Sequence, residues 1–106
     1  MDKKTAKFQQ ELKEFKSQLG GKIPIKKMKL FGSRARGKYH RWSDVDLIVI
    51  SKKFKGKPFR ERARGFYKFW NLKHPVDFIC YTPEEYNKMR KSSSVIKEAD
   101  EEGIDI

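Results

Sequence analysis

The run Leu47–Ile50, LIVI, is apolar at every position; it is entered through Asp44-Val45-Asp46 and left at Ser51. Side chains alternate across a strand, so a continuous β-branched run buries both of its faces. Such a strand requires a sheet covered on two sides, and therefore helices alternating with strands. Its entry carries a conflict. Asp44 and Asp46 lie two residues apart and so point to one face. Two carboxylates roughly 5 Å apart repel by about 3 kcal/mol at an effective dielectric of 20. Placing both where a strand enters the interior is costly unless a cation offsets them. A lone aspartate there reads as a turn residue or a cap; a same-face pair reads as a site.

The rest of the chain supplies the partners that this strand needs. Phe8, Leu12, Phe15 and Leu19 make one apolar stripe in a helix predicted over residues 2–19, which Gly20-Gly21 stops. Residues 23–31, IPIKKMKLF, read as a strand with Pro24 near its start or edge. GSRARGKYHRWS is a connection with room for one helical turn after Gly32-Ser33. The spacing of Phe59, Ala63, Phe66, Tyr67 and Trp70 predicts a helix whose aromatic face packs on the sheet rather than on nucleobases. Residues 75–81, PVDFICY, form a third strand. Thr82 as N-cap, Pro83 and Glu84-Glu85 open a helix, SSVIKEADEE gives a second, Gly103 ends it, and IDI closes as an edge strand. The fold class is therefore α/β (α+β): a small mixed sheet of three to four strands with helices packed on it. Residues 1–106 read as one domain, with the N-terminal helix at 2–19, a core at about 25–81 and C-terminal helices at 82–102.

Composition narrows the partners. Lys and Arg number 26 against 14 Asp and Glu, a formal charge of +12. That excess favours polyanions, such as nucleic acid, nucleotide triphosphates or acidic proteins; a solvated Lys-rich surface is the alternative. The single cysteine, Cys80, forms no internal disulfide and sits in an apolar run as a core residue. His40 and His74 read as ordinary surface or strand-end residues, and no Cys/His group has zinc spacing. The charged N-terminus gives no signal peptide, and no apolar run approaches the ~20 residues that span a bilayer. Cytoplasmic location is the expectation.

Asp77 repeats the motif of the second strand, flanked by Val76 and Phe78. A strand, loop, helix and strand make a crossover unit, so the second and third strands are expected to run parallel, bringing Asp44, Asp46 and Asp77 to one sheet edge. Three carboxylates there suit hard divalent ions, Mg²⁺ first, which share their shell with phosphates. Gly32-Ser33 supplies a complementary phosphate holder: close backbone approach at the glycine, a hydroxyl, and bidentate donors from Arg34 and Arg36.

Gly-Ser, ten residues and Asp-x-Asp, in GSRARGKYHRWSDVD, resemble the signature of the DNA polymerase β-like nucleotidyltransferase superfamily. LFGSRARG, SDVDLIVI and the later VDF are similar to its smallest branch, the minimal nucleotidyltransferases, from about residue 25 to 106. The resemblance implies that Asp44, Asp46 and Asp77 ligate two Mg²⁺ ions, with Mn²⁺ an alternative, and that Asp77 helps to deprotonate the attacking hydroxyl. Gly32 and Ser33 would hold the triphosphate of ATP or another NTP. A nucleoside monophosphate, typically AMP, would move to an acceptor hydroxyl with release of pyrophosphate. Members of the branch commonly act with a small helical HEPN protein as the antitoxin of a toxin–antitoxin pair, and some adenylylate a tyrosine of that partner. A HEPN-type partner or a second protomer would then complete the acceptor site. Two other readings stand beside this one: a non-catalytic antitoxin or interaction module, and a basic RNA-binding protein. The second rests on residues 52–65, which hold seven Lys/Arg and a single Glu.

Overall fold

A computed structural model describes residues 3–37 and 43–106. The order of elements is α1 (Lys3–Gly20), β1 (Lys27–Phe31), β2 (Val45–Ile50), α2 (Phe59–Arg62), β3 (Val76–Tyr81), α3 (Pro83–Ser92), α4 (Ser94–Glu102) and β4 (Ile104–Asp105). The strands form one mixed sheet in the order β3-β2-β1-β4. β1 is antiparallel to both β2 and β4, and β2 is parallel to β3. This is the expected mixed α+β architecture, closing strand included. His40, read as a surface or strand-end residue, and the rest of residues 38–42 in the Gly-Ser to Asp-x-Asp connection lie outside the described residues.

Alternation along β2 divides the molecule into two layers. Val45, Leu47 and Val49 face one core, which Leu12, Phe15 and Leu19 of α1 close. Ile48 and Ile50 face the other, closed by Tyr86 of α3 and Ile96 and Ala99 of α4. Asp46 shares the second face, but α3 and α4 cover the C-terminal half of the strand and leave the Asp46 end partly open. The α3 start is built as the sequence indicates: the Thr82 hydroxyl accepts from the Glu85 backbone N–H, and the Glu85 carboxylate accepts from the Thr82 N–H.

Two expectations need correction. The first strand begins at Lys27 rather than residue 23. Lys22 and Ile23 donate backbone N–H groups to the Leu19 carbonyl and finish the α1 turn, and Pro24 has no N–H to offer a ladder. The aromatic helix over 59–70 is broken: only Phe59–Arg62 is α-helical, and Phe66–Phe69 is a separate 3-10 turn. Gly65, at φ +88°, separates the two. Its aromatic residues nonetheless pack on the sheet, since Phe66, Tyr67 and Trp70 all meet the Phe78 ring edge-on.

The break also frees Arg62 to turn inward, where it is 6% exposed. Its guanidinium donates to the Lys57 and Cys80 carbonyls and grips both Glu85 oxygens, while stacking 4.2 Å from the Phe59 ring centroid. One side chain thus ties the loop after β2 to β3 and α3. Burial raises the Cys80 thiol to about 12, which makes it a protonated core group.

Removing one member of a buried ion pair leaves the other uncompensated, so Arg62→Met is expected to cost about 3 kcal/mol in urea unfolding. The Glu85 carboxyl is held below its ordinary range, chiefly by the hydrogen bond from Arg62. Its contribution is therefore complete above the unfolded carboxylate range and drains away as pH falls through the lowered folded value. Glu85→Gln should flatten the acid limb of the stability–pH curve; an unchanged acid limb would remove this pair from the account.

Candidate active site

The site is assembled by strand register. Across the parallel pair, Asp46 lies opposite Asp77; across the antiparallel pair, Asp46 lies opposite Phe31, the residue before Gly32. Neighbouring strands are about 4.8 Å apart, so the two aspartate backbones are adjacent. The backbone N–H of Val45 donates to the Pro75 carbonyl at 2.8 Å and fixes this register where the strands begin. Asp44 immediately precedes β2 and is exposed, as is Asp77, whereas Asp46 is half-buried. The Asp46 carboxyl is raised above its ordinary value by burial first, then by the charges of Asp77 and of Asp44. The three predicted carboxylates therefore share one electrostatic site.

Gly32 completes it from the β1 side. A side-chain Cβ at this position would stand 2.5 Å from an Asp46 carboxylate oxygen, and the backbone is left-handed at φ +77°. Both conditions demand glycine: no other residue lets the chain turn here and lie against that carboxylate. Gly32–Arg34 forms the anticipated helical turn, whose first carbonyl accepts from the Ala35 and Arg36 N–H groups. Ser33 is half-buried in that turn, one residue from the Asp46 contact.

The two arginines go separate ways. Arg34 is 7% exposed, donates from Nε and Nη2 to the Ser43 carbonyl, meets His74 Nδ1 at 3.3 Å and lies over the Phe8 ring. It reaches beneath α1 and anchors the residue just before Asp44. Arg36 is half-exposed on the other side and pairs with Glu98 of α4 at 3.0 Å. A groove of about 170 Å³ lies there, lined by Phe31, Gly32, Arg36, Val95, Glu98 and Glu102. Nothing in the local sequence marks Glu98 as a neighbour of the Gly-Ser turn, because 62 residues of folded chain separate it from Arg36. Likewise His74 is a strand-end residue as expected, but its contact with Arg34 is a tertiary one.

Among the described residues, no three His, Cys, Asp or Glu side chains converge closely enough to close round an ion as they stand. The donor set still fits a divalent cation. It is all-oxygen, its members repel one another, and the glycine opposite puts no side chain against the Asp46 carboxylate.

The chain belongs to the nucleotidyltransferase domain family, whose model matches residues 9–106. It is 30% identical over 97 residues to a protein of Methanocaldococcus jannaschii named "Putative protein adenylyltransferase MJ0141", covering 90% of this chain and 94% of that one. It also superposes on the crystal structure of a "putative nucleotidyltransferase" from Sulfolobus solfataricus, with a TM-score of 0.64 and 26% identity, covering 79% of this chain and 75% of the other. No described helix is long and apolar enough to cross a membrane.

A carboxyl raised in the folded state opposes folding once it ionises. Asp46→Asn should therefore be more stable than the parent at pH 7 without divalent ions, by roughly a few degrees in Tm. The gain should shrink as pH falls through the raised folded value and be gone once pH is below the ordinary aspartate range, where both folded and unfolded parent carry the proton. Thermal melts in a chelator across that range test this; a gain unaffected by pH would show that ionisation of Asp46 is not its source.

Proposed function

We propose that this chain transfers a nucleoside monophosphate, AMP from ATP, to a hydroxyl of a protein or small-molecule acceptor. The observation that carries the reading is the Asp46–Asp77 register with Gly32 lying against the inner Asp46 oxygen. Membership of the family and the name of the archaeal relative support the same reaction class. Asp44, Asp46 and Asp77 would hold divalent ions of the Mg²⁺ type, which when bound supply Lewis acidity at the attacking hydroxyl and at the leaving phosphate.

The remaining roles belong to the chain. Gly32 and Ser33 receive the triphosphate, the glycine by allowing close approach and the serine through its hydroxyl. Arg36 leaves Glu98 to meet a phosphate, an exchange that its half-exposed pair permits. Arg34 acts as a positioning residue: it holds the Ser43 carbonyl and so the approach to Asp44. Asp77 accepts the hydroxyl proton at a carboxylate oxygen. The acceptor oxygen then bonds to the α-phosphorus, the bond from that phosphorus to the bridging oxygen breaks, and pyrophosphate leaves with the electron pair. The acceptor site is completed by a partner, which the family resemblance suggests is a HEPN-type helical protein in a toxin–antitoxin pair, or by a second protomer.

The test is incubation with α-labelled ATP, Mg²⁺ and candidate acceptors. Label should appear on the acceptor, stop with a chelator, and fall at least about a hundredfold in Asp77→Asn while partner binding persists. Transfer at the parental rate by Asp77→Asn would refute the assignment of these carboxylates. A parent chain that binds a partner tightly yet moves no label would instead favour the interaction-module reading.

A further inference from the structure

The basic segment after β2 does not reach the carboxylates. They sit where β2 and β3 begin; Ser51–Phe54 follows the end of β2, and Ile23 lies before the start of β1, at the opposite end of the sheet. β2 alone separates the two ends by roughly 20 Å. At this far end two grooves adjoin, of about 320 and 300 Å³, sharing Ile23, Arg64 and Phe66. Lys22, Lys53, Lys57, Arg64 and Lys68 stand along them, all exposed. Glu61 is the only acid in their lining, and it engages Arg64 at 3.5 Å.

The floor decides what such a groove can hold. Leu19, Phe54 and Phe66 beneath it are 1%, 2% and 4% exposed, which leaves half-buried Ile23 and Phe69 as its accessible apolar surface. The five exposed cations of the rim outnumber these apolar side chains, and charge spaced along a track suits a phosphate backbone. The same segment also carries two exposed aromatic rings outside the groove lining: Phe59 is 61% exposed and Tyr67 59%. Phe59 has the Arg62 guanidinium on one face, and Tyr67 meets Phe78 edge-on. Each ring is thus held in place with surface left for stacking, which the bases of an unpaired strand can use and those of a duplex cannot.

We propose that this groove binds single-stranded nucleic acid through its phosphates, with Phe59 and Tyr67 as stacking surfaces beside it. The site is separate from the transfer reaction and does not depend on it. It would hold the domain on a polynucleotide while the carboxylate end stays free.

The experiment is fluorescence anisotropy of labelled 20-nucleotide oligo-rU and oligo-dT in a chelator, from low to physiological salt. Binding to either should fall steeply with salt. The triple variant Lys53→Gln/Lys57→Gln/Arg64→Gln should bind at least about tenfold more weakly at 100 mM salt and lower the log–log salt slope by about 2. A charge-matched variant on the opposite layer, Lys88→Gln/Lys91→Gln/Lys97→Gln, should change affinity less than threefold. Tyr67→Ala should weaken binding further without altering the slope. Equal losses in the two triple variants, equally tight binding of poly-glutamate, or no oligonucleotide binding at low salt would each overturn the proposal. Circular dichroism and melting of every variant separate loss of binding from loss of fold.

Discussion

Everything at the proposed catalytic end follows from the register of one parallel strand pair. β2 and β3 are matched so that Asp46 meets Asp77, Ile48 meets Ile79 and Ile50 meets Tyr81. Slipping β3 by one residue would exchange its two faces, sending Asp77 into the α1 core and Phe78 out of it. The apolar alternation therefore enforces the carboxylate pairing. The site is specified by the core, and the core is far too costly to rearrange for the relief of a carboxylate repulsion of a few kcal/mol. That is how a marginally stable chain can keep mutually repelling groups together.

The same logic explains why the glycine must stand where it does. β1 is antiparallel to β2, so its C-terminal end and the N-terminal ends of β2 and β3 lie on one edge. A chain leaving β1 after Phe31 must turn beside Asp46, and only a residue without Cβ can do so at a positive φ. Gly-Ser and Asp-x-Asp are distant in sequence but adjacent because the antiparallel pairing folds the connection back. Arg34 then ties the far end of that connection, at Ser43, to the turn it started from. The arginine nearest to the serine thus serves the geometry, whereas Arg36, two residues on, faces solvent and α4.

Much of this was legible in the sequence because it rests on local periodicity. A largely β-branched run marked β2, an apolar run around Asp77 marked β3, a four-three-four stripe marked α1, and Thr82-Pro83-Glu84-Glu85 spelled out the start of α3. Parallel pairing of β2 with β3 followed from the crossover, and it brought the three aspartates to a common electrostatic site. The misread aromatic segment has a tertiary cause. The 59–70 segment has helical spacing, but the buried Arg62 guanidinium donates four hydrogen bonds, to Lys57, Cys80 and both Glu85 oxygens, and Gly65 absorbed the kink. Propensity yielded to a tertiary contact that no local window contains. Arg34 illustrates the same limit: its residue type suits a phosphate, and its neighbours decide otherwise.

The distribution of charge gives the fold a polarity that net charge alone conceals. The carboxylates cluster at one end of β2, and exposed lysines and arginines line the loop at the other. An excess of +12 attracts any polyanion, but among the described residues the charges that weigh on Asp46 are the negative ones of Asp77 and Asp44. A free polyanion is therefore drawn to the cationic end and discouraged from the acidic one, unless it arrives with cations of its own. A nucleotide triphosphate carrying Mg²⁺ meets that condition and a bare polynucleotide backbone does not. Two anionic ligands can thus be sorted to opposite ends of a four-stranded sheet, although the chain as a whole attracts both.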